Sequence, residues 1–188
     1  MAGPHLLLDA DAYLALRKLG FLEDLATLVS AGKLEIGLTA IIRNYDLGNI
    51  RSETDKLVAA GVLMAHTVGA DDTAGRLYRE LRRRPRTSTG KSVHKGEQEA
   101  IAWAVHSDRH VFWISCDTGA RDLARDHRIE TGDVLALACA LVHAGYLTPA
   151  AVREHLRPWD EVFSGMGRPR DYRGLDEALQ RSPSLVLR

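Results

Sequence analysis

Apolar residues along the chain alternate between short unbroken runs and stripes at helical spacing. His5 to Leu8 is a run that stops at Asp9, as a buried strand would. The spacing predicts a helix capped by Asp11 through Leu19, with Gly20 as its stop. Phe21 to Ala31 repeats the helical pattern and ends at Gly32. Leu34 to Thr39 reads as a second strand, and Ala40 to Leu47 as one or two helical turns. A helix over Arg51 to Ala60 precedes a third strand over Val62 to Val68. Asp71 or Asp72 then starts a helix to Arg84, and Pro85 to Lys95 is a polar loop. Glu97 to His106 is a helix, Val111 to Ser115 a strand, Thr118 to His127 and Asp133 to Ala144 helices. Thr148-Pro149 opens one more helix, Thr as cap and Pro at the first helical position.

Strands alternating with helices predict an α/β fold: a three-layer αβα sandwich around a central, mostly parallel sheet. The chain of 188 residues suits one domain with an appended piece. We read residues 1–158 as the domain and 159–188, rich in Pro and Arg, as a C-terminal extension wrapped on it or partly loose. Apolar residues make up 45% and charged residues 27%, and Lys plus Arg balance Asp plus Glu at 25 each. Net charge therefore says nothing about partners. No apolar stretch reaches the ~18 residues that span a bilayer, and the first residues lack a signal-peptide pattern. A cytoplasmic, reduced protein is expected, with Cys116 and Cys139 as buried thiols.

Three carboxylates stand out. Asp9 ends the first strand, and Asp117 directly follows the apolar run from Val111 to Cys116. Both fall at carboxyl ends of strands, where open parallel sheets bind ligands. Glu97 aligns with Ala100, Ile101, Ala104 and Val105 on the buried stripe of its helix, whereas Glu99 is predicted to face solvent. Each has an ordinary explanation: Asp117 as a helix cap, Asp9 as a turn residue or partner of Arg17 or Arg121, Glu97 as a first-turn acid. Clustered, they would repel one another unless a divalent cation sat between them. Oxygen-only ligands suit Mg²⁺ or Mn²⁺.

Several segments resemble one family. Leu6-Leu-Leu-Asp-Ala-Asp-Ala-Tyr-Leu14 looks like the opening of a PIN domain. Gly96-Glu-Gln-Glu-Ala-Ile-Ala-Trp-Ala104 and Ser115-Cys-Asp-Thr-Gly-Ala-Arg-Asp-Leu-Ala124 are similar to later segments of that family, as are Gly132-Asp-Val-Leu-Ala-Leu137 and Ala144-Gly-Tyr-Leu147. The similarity is strongest over residues 94–147 and at the N-terminus, weak over 41–93 and absent beyond about 158. The resemblance implies a metal-dependent endoribonuclease, with Asp9, Glu97 and Asp117 holding Mg²⁺ or Mn²⁺ for phosphodiester hydrolysis. It also implies RNA as substrate, an antitoxin-like protein partner for the toxin-type members, and a homodimer. One departure stands out: PIN nucleases carry another acid after the second strand, and here Thr39-Ala-Ile-Ile-Arg-Asn-Tyr-Asp46 has no Glu. Asp46 or the neutral Asn44 would take that place, or the site has three acids.

Arg76 to Lys95 concentrates positive charge just before Glu97. Arg82, Arg83, Arg84, Arg86, Lys91 and Lys95, with Arg121 after Asp117, are candidates for holding a nucleic-acid backbone. A solvated helix end and loop is the plainer reading of that charge. Thr87-Ser-Thr-Gly-Lys-Ser92 is not a phosphate loop, because Pro85 replaces its first glycine and no strand precedes it. His106 and His110 straddle a helix end and make a poor zinc pair, while His94 is close enough in sequence to Glu97 to assist proton transfer. Two other readings compete with a nuclease. A catalytically weak PIN domain would bind nucleic acid or a partner. A receiver or small phosphatase would also place Asp at strand ends, but Asp9-Ala-Asp-Ala-Tyr13 lacks its small β-branched residue.

Overall fold

The computed structural model describes residues 3–70, 72–83, 94–161, 167–180 and 185–187. Its centre is β1 (His5–Leu8), β2 (Glu35–Thr39), β3 (Met64–His66), β4 (Val111–Ile114) and β5 (Glu130–Gly132). They form one parallel sheet in the order β3-β2-β1-β4-β5. Leu6, Leu7 and Leu8 are wholly buried, as are Phe112, Trp113 and Ile114. Strands covered on both faces carry unbroken apolar runs rather than alternation, which is why β1 and β4 are legible as blocks.

Parallel neighbours need crossovers, and helices supply them: α1 (Ala10–Lys18), α2 (Phe21–Ser30), α3 (Arg51–Ala59), α4 (Thr73–Arg83), α5 (Lys95–Val105), α6 (Thr118–Asp126), α7 (Val134–His143), α8 (Pro149–Glu161) and α9 (Leu175–Gln180). From β1 the chain steps outward through β2 to β3, then returns past β1 to β4 and β5. Right-handed crossovers in opposite directions put their helices on opposite faces. Accordingly α1 packs with α2 and α7, and α5 packs with α4 and α6. The result is a three-layer α/β/α sandwich. Among the described residues no helix is long and apolar enough to cross a membrane.

Four details depart from the sequence pattern. The third strand is shorter than Val62 to Val68, because at the sheet edge only Met64–His66 finds partners, in Gly37–Thr39. A fifth strand, Glu130–Gly132, was not expected: its residues are polar or small, and pairing with β4 forms it. The cap of α1 is Asp9, whose Oδ1 accepts from Ala12 N at 2.6 Å, and Asp11 falls in the first turn. Glu99 is buried, not solvent-facing; its Oε2 accepts from Ile41 N at 2.8 Å. A single apolar stripe cannot describe α5, since every residue from Gly96 to Ala102 is buried.

The C-terminal extension is packed where it is described. Helix α8 runs past residue 158 to Glu161. Trp159, Tyr172, Leu175, Leu185 and Leu187 are buried. Trp159 meets Tyr172 edge to face at 5.3 Å, and α9 lies on α7.

Candidate functional site

The strand order reverses direction between β1 and β4. Open α/β sheets bind ligands at that point, outside the carboxyl ends of the strands. Register puts Leu8 beside Ile114, so Asp9 and the Ser115-Cys116-Asp117 turn emerge side by side. Asp9 N donates to Ile114 O at 3.0 Å. The Ser115 hydroxyl donates to Asp9 Oδ2 and accepts from Asp117 N at 3.1 Å. Ser115 thus ties the two strand ends together; a buried serine closing a strand carries no pattern that would have announced it.

Three helices begin here. Asp9 caps α1, Asp117 caps α6 by accepting from Ala120 N at 2.9 Å, and Glu97 sits in the first turn of α5. One oxygen of Glu97 accepts from His94 N at 2.7 Å. The ordinary readings of Asp117 as a helix cap and of Glu97 as a first-turn acid are therefore correct as far as one oxygen each, whereas Asp9 is a cap in place of Asp11 and has both oxygens bonded. Helix N-termini also offset negative charge, by about 0.3–1 kcal/mol apiece when exposed. Neither arginine weighed as a partner meets Asp9: Arg17 pairs with Glu53 at 2.7 Å, and Arg121 donates to Ser115 O at 2.6 Å.

Charge is nevertheless concentrated. Asp9 is 4% exposed, and burial pushes its carboxyl up to about 7, against the hydrogen bonds from Ser115 and Ala12. The charges of Asp11 and Glu97 raise it further. Burial also raises Glu97, and Asp117 and Asp11 add to the shift. Asp46 is raised by burial and by Asp11, while His94 acts the other way. A cleft of about 260 Å³ lies among these groups, lined by Asp9, Asp11, Asp46, His94 and Glu97 with apolar Leu14 and Ile42.

Asp46 reaches the cleft through a π-helical turn over Ile42–Asp46, closed by Leu47 N to Ile42 O at 3.0 Å. Asn44 does not line the cleft. Gly96 allows the approach: a Cβ there would lie 2.6 Å from Asp46 Oδ2 and 2.8 Å from Ile42 Cγ1. Two acids are added to those read from sequence. Asp11 lines the cleft, and Asp133, the cap of α7, lies beside Asp117 on an adjoining groove. The sequence pattern makes Asp11 a cap rather than a cleft residue, and Asp133 follows a strand with no apolar run of its own.

The donor set is oxygen only, charged and mutually repelling, which fits a hard divalent ion. Asp9, Asp11, Asp46 and Glu97 stand around the cleft rather than converged on a point, and Asp117 lines the adjoining groove instead. Among the described residues no three His, Cys, Asp or Glu side chains are arranged to hold an ion. The cysteines are not ligands of this kind. Burial and nearby acids push the Cys116 thiol up to about 12, and burial with Asp133 pushes Cys139 to about 11.

The basic surface is only partly visible. Arg82 and Arg83 end α4 and are exposed, as is Lys95 at the start of α5. Arg76, Arg79, Glu80 and Arg83 line a shallow depression of about 410 Å³. Arg84, Arg86 and Lys91 lie outside the described residues. His106 follows the end of α5 and His110 pairs with Glu130 at 2.8 Å, so the two share no helix face. Comparisons with protein-family models, curated proteins and solved structures find no match.

Proposed function

We propose that this protein is a metal-dependent endoribonuclease of the PIN type. Asp9, Glu97 and Asp117 would hold Mg²⁺ or Mn²⁺, with Asp46 as a fourth carboxylate. The observation that carries the reading is Asp9: a buried carboxylate at the switch point of the sheet, facing two further acids. Such a group burdens the fold unless a cation or a proton relieves it. Resemblance of the flanking segments to PIN domains supports the same conclusion.

A bound divalent ion supplies a more acidic water and charge to offset the leaving oxygen of a phosphodiester. The residues of the chain do the rest. Ser115 and the N–H of Ala12 fix the Asp9 carboxylate in one orientation. Backbone N–H groups do the same for one oxygen of Asp117 and one of Glu97; the second oxygen of each would take the ion. His94, which lines the cleft with Glu97, would exchange protons with water there. Arg82, Arg83, Lys95 and Arg121 would neutralise phosphates of the strand without reading its bases. An antitoxin-like partner and a homodimer enter this proposal through the resemblance alone.

A second reading has its own observation. The acids do not converge in a coordinating group among the described residues, as in a PIN domain that binds RNA without cutting it. Incubating the purified chain with labelled single-stranded RNA, in Mn²⁺ or EDTA, separates the two. Cleavage in Mn²⁺ that falls by at least about a hundredfold in Asp117→Asn supports the nuclease. RNA binding with no cleavage at any Mn²⁺ concentration favours the binding module.

A further inference from the structure

Beside the acidic cleft lies a second, larger concavity of about 550 Å³ that shares Asp117 with the metal ligands proposed above. One wall is Asp117 and Arg121 of the β4–α6 turn together with Asp133. The other is Arg168, Arg170 and Asp171 of the C-terminal extension, a segment with no counterpart in the family resemblance. We infer that this groove is a nucleotide subsite, and that the C-terminal extension supplies half of the surface that holds the RNA strand next to the cut. The inference rests on the nuclease reading, because it places the subsite relative to Asp117.

The extension is built against the sheet edge rather than laid loosely over it. Gly167 has φ +71, and a Cβ there would lie 2.8 Å from Cys116 Sγ and 2.9 Å from Ala15 Cβ. Only glycine fits both that backbone and that approach. Tyr172 is buried against Trp159, and the Arg168 guanidinium stands 5.3 Å from the Tyr172 ring centre. The wall is therefore held in place from below.

Its chemistry is mixed: three guanidiniums and three carboxylates line it, both signs on each wall. A bare phosphate or a bare cation would match half of such a lining. A ribonucleotide matches both halves, because its phosphate accepts from guanidinium and its ribose hydroxyls donate to carboxylate. Asp117 and Asp133 each commit Oδ1 to a helix N–H, at 2.9 Å in both cases. Arg121 is fixed by Ser115 O. Arg170 is exposed, free to follow a strand. The volume falls within the usual range for small-ligand sites, about 300–1,000 Å³.

The test compares wild type with Arg170→Ala and with Arg168→Ala/Arg170→Ala. Binding of a labelled single-stranded RNA is followed by anisotropy in EDTA across a salt series, and cleavage is measured in Mn²⁺. Arg170 is exposed, so its single variant folds whatever Arg168 does. The inference predicts that the double variant weakens RNA binding about tenfold and lowers the salt slope by roughly one, the single variant less. It also predicts a higher KM with kcat nearly unchanged. Wild-type cleavage with unaltered binding, slope and KM in both variants overturns the subsite and leaves the nuclease standing. RNA binding that the variants lose, without wild-type cleavage, supports the groove and sinks the nuclease. Wild type that neither binds nor cuts RNA overturns both.

Discussion

At the scale of single residues, Asp9 is the point of greatest tension. Its folded pKa of about 7 lies above the ordinary value of 3.8. Its contribution to stability is therefore fully present below about pH 4 and is lost as pH rises through about 7. At pH 8 the fold carries an ionised, buried carboxylate. Asparagine caps a helix as well as aspartate does, so Asp9→Asn keeps the bond from Ala12 and removes the charge. Thermal unfolding at pH 8 in EDTA should show Asp9→Asn more stable than wild type by about 1–3 kcal/mol. Mn²⁺ should then stabilise wild type alone. A less stable variant in EDTA would mean that Asp9 is structural. Asp9 and Asp117 were legible because an apolar run stops at each. Asp11, Ser115 and the burial of Glu99 were not: a cap, a strand-end serine and a helix enclosed on several sides leave no periodic trace.

At the scale of elements, the turn over Ile42–Asp46 decides which side chain joins the cleft. Sequence spacing predicted helical turns there but could not separate Asp46 from Asn44. A π-turn adds a residue per turn and breaks the 3.6-residue count on which such a reading depends. Gly96 on α5 and this turn are fitted together at a distance no Cβ tolerates. Gly96→Ala should cost about 1–3 kcal/mol in urea unfolding. It should also depress Mn²⁺-dependent cleavage by displacing Asp46. Full stability and activity in that variant would show that the turn yields easily and that Asp46 is dispensable. Strand β5 is invisible in the sequence for a related reason: only Thr131 of its three residues favours a strand, Glu130 and Gly132 do not, and pairing with β4 supplies the conformation.

At the scale of the whole molecule, the α/β/α architecture followed from the alternation of apolar blocks and helical stripes, but the strand order did not. The order matters most for function, because it creates the switch point beside which Asp9 and Asp117 emerge. It also buries a histidine pair whose members lie far apart in sequence. His5 and His66, on β1 and β3, approach to 3.0 Å through their Nε2 atoms, with His66 stacked on Trp103 of α5. His5 Nδ1 lies 3.1 Å from Glu35 Oε2 on β2. Burial lowers both to about 4, helped by Arg109 for His5 and by His5 for His66. Both are neutral when folded at pH 7. As pH falls from about 6.5 to 4 the unfolded chain binds protons that the folded chain refuses, and stability is lost. Asp9 acts in the opposite sense, so variants must be compared. Replacing His66 with Phe, which keeps a ring against Trp103, should flatten the loss between pH 6.5 and 4 by a few kcal/mol. An unchanged pH slope would show that the pair takes up protons freely in the fold.

The central claim is that acids from β1, α5 and β4 gather to bind one divalent ion. Anomalous diffraction from crystals soaked in Mn²⁺ tests it most directly. The account predicts a peak within coordinating reach of the Asp9, Glu97 and Asp117 carboxylates, lost in Asp9→Asn. Saturating Mn²⁺ with no peak among these side chains would contradict it.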